Sequence, residues 1–457
     1  MSVNKPVNTM AVDLTSGSIL KTLLLFAWPT MLSNALQMFY NLVDMAVVGQ
    51  YVGKEGLAAV TNGGELTVLV TFFCMGFSTA GQVIIAQNLG KGQKENLNRI
   101  IGTLLSCTMI LSLIMSVLSL MLADWALDVL NVPEASLAMA RQYTVCCYTG
   151  LFFIYGYNIL SAILRGMGDS IRPLIFIAVA AGTNVILDLV FVAGLKWGAL
   201  GAALATVLGQ ALSFLGSLIY LYRRREAFGF DFRLRSFAID FTVFKTLLRL
   251  GLPIAVETCL IQLSRMFVAS FINAFGVAPS ALNGIGNKLG QCASVVTKAL
   301  GTAVASFVGQ CFGAGKMDRA VRAVYVSLGI GLSFSSLLAL LIILFPTQIF
   351  GFFNDDPAVL EMLPGYIPIV VMLFYGFALR NPFLGFSNGL GNGSMAVVVG
   401  LLDGVVARIG LSLLFGVVLD WGIQGFWIGS VLAGFLPFVI VGIYFWSGLW
   451  KKRKVLI

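Results

Sequence analysis

The stretch Asn41–Gly49 (NLVDMAVVG) sets one carboxylate, Asp44, in a run that holds no other acid from Ile19 on and, after Lys21, no base. Ser33, Gln37, Tyr40 and Asp44 follow at spacings of 4, 3 and 4, which places them on one helical face. Asn184 and Asp188 repeat the i, i+4 relation further along. Asp44 lies ten residues before Lys54, Asp188 eight before Lys196, and Thr206 ten after it. At about 1.5 Å of helix rise per residue, all three lie roughly 12–15 Å below one set of loops, with Asn184 a turn deeper. Two carboxylates, an amide and a hydroxyl at one level are hard oxygen ligands suited to a small cation. A carboxylate pair also suits a proton. Histidine is absent, so any proton carrier here is a carboxylate. A lone membrane aspartate can serve merely to bond a neighbouring helix, but the shared depth favours function.

The elements that must position these groups are membrane helices. Of 457 residues 58% are hydrophobic and 11% charged, with mean hydropathy +0.93, whereas a soluble domain carries about 25% charged residues. Twelve apolar stretches between residues 19 and 447 are each long enough to cross a bilayer. They lack the short alternating strands of a closed barrel, so the spans are helices. Fifty glycines fit close helix packing in lipid. The polar N-terminus has no short apolar core before a cleavage site, so no secretory signal is expected. Of 29 Lys and Arg, three (Lys54, Arg141, Lys196) fall in one set of loops and twenty-one on the opposite side, including Arg223–Arg225 and the tail Lys451–Lys454. The positive-inside rule then puts both termini in the cytoplasm and the chain in the plasma membrane as a multi-pass protein. This bias accounts for the pI of 9.2 better than a nucleic-acid partner does. The seven cysteines show no metal spacing, and Cys146–Cys147 read as apolar filler.

The chain repeats itself. Leu23–Pro29 matches Leu247–Pro253 at an offset of 224, and Ala86–Gly92 matches Gly309–Gly315 at 223. Arg165–Asp169 matches Asn388–Asn392 at 223, and Lys196-Trp-Gly matches Asp420-Trp-Gly at 224. Six spans per half make parallel repeats. The expected organisation is an N-lobe over 1–222, a cytoplasmic linker over 223–244 and a C-lobe over 245–457 with a basic tail, the lobes flanking a central cleft. The duplication, the first-span Pro29 followed by Asp44 and Gly49, and the Q-x-x-G-x-G loop after span 2 together resemble the MATE multidrug and toxin extrusion transporters. The resemblance covers essentially the whole chain and is nearest to the DinF-like branch. It implies an all-α polytopic fold of 12 transmembrane helices, with Asp44, Asn184, Asp188 and Thr206 as the N-lobe cation site. It also implies Gln37 and Tyr40 in the drug cavity.

The second half lacks this constellation: at offset 224 the matched residues are Val268, Arg408, Ser412 and Ser430. It embeds instead Glu257, Arg265, Lys288, Lys298, Arg380, Asp403 and Arg408. Structural ion pairs, with Arg380 and Lys298 snorkelling from span ends, explain these blandly. A polar network of Glu257, Arg265, Lys288, Asp403 and Arg408 that touches substrate or titrates is the sharper reading. Glu257 lies about a turn from where other branches hold a span-7 acid, so that role is not carried over. Glu65 reads as a satisfied polar residue near the outer interface.

No Walker-type loop, His or Cys cluster is present, so ATP hydrolysis and membrane enzymology are set aside and an ion gradient is the expected drive. The expected function is antiport of H⁺ or Na⁺ against amphipathic, often cationic, drug-like compounds by alternating access. No cofactor is expected beyond the coupling ion, which the four oxygen residues would bind if it is Na⁺. Pro29 would supply the bend of span 1. The chain is expected to be monomeric. A flippase for lipid-linked saccharides is the rival reading.

Overall fold

The computed structural model describes residues 12–130 and 132–457. The expectation of no secretory signal falls on residues 1–11, outside the described residues. Hydrocarbon offers the backbone no hydrogen-bond partner, and helices satisfy their amides internally. Among the described residues there is accordingly no strand.

Among the described residues eleven helices are individually long and apolar enough to cross a membrane: α1 (Ile19–Tyr51), α2 (Lys54–Gly90), α3 (Glu95–Val129), α5 (Ile171–Gly194), α6 (Gly198–Arg223), α7 (Phe241–Ala274), α8 (Val277–Gly313), α9 (Met317–Leu344), α10 (Leu363–Gly389), α11 (Gly393–Val418) and α12 (Gly422–Ser447). The remaining span, α4, is a pair of helices, Glu134–Thr149 and Leu151–Gly166, bent by 49°. With α4 the spans number twelve, as the apolar runs predict.

The chain forms two compact units. Unit 1 holds residues 12–13, Trp28–Ala255 and Leu456–Ile457. Its interior is apolar, with Ile84, Ile100, Ile163 and Leu247 in one cluster and Val48, Ala59, Tyr155 and Ala202 in another. The segment after α6 is folded onto α3. The Ser106 hydroxyl donates to the Phe237 carbonyl at 2.7 Å, and Asn98 Nδ2 donates to Ser236 Oγ at 3.2 Å. Asp240 then caps α7, accepting from the Thr242 and Val243 amides at 2.9 and 3.0 Å.

Unit 2 holds Leu14–Ala27 and Val256–Val455. Its core gathers Phe350, Phe374, Tyr366 and Trp427, the last two edge to face at 4.6 Å. Arg319 fixes the Leu14–Gly17 segment, donating to the carbonyls of Leu14 (2.9 Å), Ser16 and Gly17 (2.6 Å). Helices α1 and α7 each divide between the units, and both divisions fall within a few residues of a proline, Pro29 and Pro253. Such a residue cannot donate to the carbonyl four back and weakens the helix there.

The duplication survives in detail. In unit 1, α5 ends in a π-helical stretch, Leu189–Gly194, and Phe191 stacks on Trp197 at 5.1 Å. In unit 2, α11 ends in another, Leu414–Val418, and Phe415 stacks on Trp421 at 5.1 Å. The turns that follow hold Lys196 and Asp420 at φ 58° and 53°.

Candidate cation site

In unit 1, α1 carries Asp44, α5 carries Asn184 and Asp188, and α6 carries Thr206. The amide of Asn184 donates through Nδ2 to Thr206 Oγ1 at 3.3 Å. The pairing depends on a close helix approach at Gly209, where a Cβ would stand 3.0 Å from the Ala180 carbonyl oxygen and 3.5 Å from Asn184 Cβ. Asp188 is the last α-helical residue before the π-helical stretch, a distortion that often accompanies functional positions.

Asp44, Asn184 and Asp188 are only 6%, 2% and 0% exposed. The Asp44 and Asp188 carboxyls are near enough to interact coulombically. Asp44 Oδ1, Asn184 Oδ1 and both Asp188 oxygens nonetheless meet no hydrogen-bond donor among the described residues. A buried acceptor left unpaired costs free energy, and an unpaired carboxylate costs far more. A proton would neutralise one carboxylate and supply one donor, and a small cation would offer the oxygens a shared positive partner, so the residue types present fit either. Among the described residues there is no group of three or more His, Cys, Asp or Glu placed for a metal ion.

The stripe on α1 has mixed fates. Ser33 turns back to its own helix, donating to the Pro29 carbonyl at 2.8 Å. Gln37 is half-buried. Tyr40 packs against the unit 1 core and lies in range of Asp44, Tyr157 and Gln210. The site also has neighbours that spacing did not reveal. Tyr143 and Cys147, both buried on α4, stand close enough to Asp44 to sense its charge. They come from a distant span, and only packing shows their proximity. Glu65 is exposed.

Unit 2 presents the opposite sign at the matching place. Arg408 Nη1 donates to the Ser430 carbonyl at 2.7 Å and to Ser430 Oγ at 3.2 Å. This is the counterpart of Asn184 on Thr206, with a guanidinium in place of the amide. Asp403 binds Arg408 Nη2 at 2.6 Å through Oδ1 and Arg380 Nη1 at 3.3 Å through Oδ2. Arg380 therefore does not snorkel: it is 8% exposed and held by a buried carboxylate. Asp403 lies in a second π-helical stretch, Gly400–Ala407. At Gly400 a Cβ would stand 2.7 Å from Glu257 Cα, so α7 and α11 pack backbone to backbone. Glu257 thereby reaches coulombic range of Arg380 and Asp403. Arg265 is in range of Arg380, Asp403 and Arg408, and Lys298 of Arg265 and Arg380. Lys288 is exposed on α8.

Comparison with known proteins agrees with this architecture. The MatE family profile matches the chain twice, over residues 29–190 and 253–414, an offset of 224 that equals the internal repeat. Probable multidrug resistance protein YoeA of Bacillus subtilis is 26% identical over 96% of both chains. Probable multidrug resistance protein YpnP of the same organism is 28% identical over 97% of this chain and 99% of its own. A multidrug resistance MATE family transporter of the MOP superfamily, solved in an outward-facing conformation, shares the fold at TM-score 0.90 and 22% identity, covering 98% of this chain and 100% of its own. With its two profile matches and its twelve spans, the chain belongs to the MatE family of membrane transporters.

Proposed function

We propose that the chain is a secondary antiporter of the plasma membrane, with both termini cytoplasmic, that exports amphipathic small organic compounds in exchange for H⁺ or Na⁺. The observation that carries this reading is the set of buried oxygens on Asp44, Asn184 and Asp188 that no protein donor satisfies, beside Thr206. Entry of the cation neutralises Asp44 and Asp188, which otherwise repel one another. The charge change acts on α1, whose helix is weakened at Pro29, and alternating access follows from the shift of that helix. Gln37 and Tyr40, on the same face of α1, are the residues assigned to the cargo. The relatives' names, probable multidrug resistance proteins, support a range of drug-like cargoes.

The experiment is gradient-driven efflux from proteoliposomes containing wild type, Asp44→Asn or Asp188→Asn. Both variants should fold and insert normally and lose gradient-driven export. Export at the wild-type rate by either would remove that residue from the coupling step.

A further inference from the structure

Unit 2 holds more positive charge than its own acids neutralise. Arg265, Arg380 and Arg408 lie within mutual coulombic range, and among the described residues the acids in range of them are Asp403 and Glu257. Asp403 is committed to Arg380 and Arg408. Arg265 has no carboxylate within ion-pair distance among the described residues and lies over the Phe377 ring at 5.8 Å, whereas Lys298 is exposed. Arg408 is 3% exposed, yet its Nε finds no acceptor. Arg265, Arg380 and Arg408 line a narrow pocket of unit 2 with Phe377, Leu373 and Ser430, with room for about one water-sized group.

Unneutralised bases at membrane depth are costly, and an anion is the partner that offsets the cost. Guanidinium groups suit planar or tetrahedral oxyanions, which they bind through paired N–H donors. An aromatic ring beside them suits an apolar body attached to that oxyanion. We propose that unit 2, in a transport state in which this pocket is wider than the one-water space of the present structure, binds the oxyanion of an amphipathic ligand, a phosphate, sulfonate or carboxylate, through Arg265, Arg380 and Arg408 Nε, with its apolar part against Phe377 and Leu373. The duplicated fold then recognises charges of opposite sign: a small cation at Asp44, Asn184, Asp188 and Thr206, and an organic anion at the counterpart of that place in unit 2. The inference deepens the transport reading in naming the ligand a cargo. The site itself is tested by binding alone, so its failure is separable from failure of coupling.

The test uses the full chain in phosphatidylcholine nanodiscs and isothermal titration with naphthyl phosphate and with naphthylmethylammonium, two probes of similar body and opposite charge. Wild type should bind the phosphate about tenfold or more tightly than the ammonium, and Arg265→Gln should lose that preference. Arg265→Lys, which keeps the charge, should retain most of it and show that loss in Arg265→Gln is not misfolding. Equal affinity for both probes, or an unchanged preference in Arg265→Gln, overturns the proposal. Replacing part of the phosphatidylcholine with phosphatidylglycerol separates the sources of the anion. Competition that Arg265→Gln abolishes supports the site with a lipid headgroup as its occupant, and an unchanged affinity supports it with a ligand from the aqueous phase.

Discussion

Asp403 and Asp44 are both buried membrane carboxylates, and the structure gives them opposite roles that a stability measurement separates. Replacing Asp403 by Asn deletes the carboxylate that bonds both Arg380 and Arg408, leaving two guanidiniums in a low-dielectric interior. Removing one partner of a buried ion pair costs about 3–5 kcal/mol. Arg408 keeps two bonds to Ser430, which favours the lower end, about 3 kcal/mol. With an unfolding entropy of about 2.1 cal/mol/K per residue over 457 residues, 1 kcal/mol corresponds to about 1 °C, so Tm should fall by about 3 °C. The double change Asp403→Asn with Arg380→Met should recover part of that loss. Asp44→Asn removes an oxygen that accepts no hydrogen bond, so its Tm should equal or exceed wild type. The assay is thermal unfolding of the purified variants in nanodiscs, followed by tryptophan fluorescence. Equal losses in Asp403→Asn and Asp44→Asn would refute the distinction between a structural carboxylate and one kept for a cation.

Thr206→Val removes the acceptor of the Asn184 amide and should weaken apparent affinity for the coupling cation about fivefold, about one hydrogen bond's worth, read from the cation dependence of efflux. Gly209→Val must push against the Ala180 carbonyl and Asn184 Cβ; it should destabilise the protein by about 1–3 kcal/mol in denaturant unfolding and weaken the cation response further than Thr206→Val does. Pro29→Ala restores the helix donor in α1 and should raise Tm while slowing export, whereas export at full rate would show that the weak point in α1 is not needed.

Several features were legible before any coordinates because they are periodic. The twelve spans follow from apolar length, the duplication from one constant offset, and the relation of Asn184 to Asp188 from helical spacing. What escaped was set by contacts between distant spans or by departures from the α-helix. Tyr143 and Cys147 reach Asp44 from α4, which carries no polar stripe to announce them. Asp403 and Arg408 are five residues apart, a spacing that turns side chains about 140° away from each other in an α-helix. The π-helical stretch Gly400–Ala407 brings them to 2.6 Å instead. Arg380 looked like a snorkelling residue because its position along α10 was plain, whereas the carboxylate that holds it lies on α11. The order of the segment after α6 rests on Ser106 and Thr103 of α3, which bond its backbone at Phe237 and Asp240, and on Asn98, which bonds the Ser236 hydroxyl, contacts that composition does not reveal.

The central claim is that the unit 1 oxygens couple export to a cation. The most direct measurement is efflux of an amphipathic substrate from proteoliposomes with ΔpH and ΔNa⁺ imposed separately, in wild type and Asp44→Asn. One of the two gradients should drive export by wild type and neither should drive it in Asp44→Asn. Export that is indifferent to both gradients in wild type, or that survives in Asp44→Asn, would contradict the account.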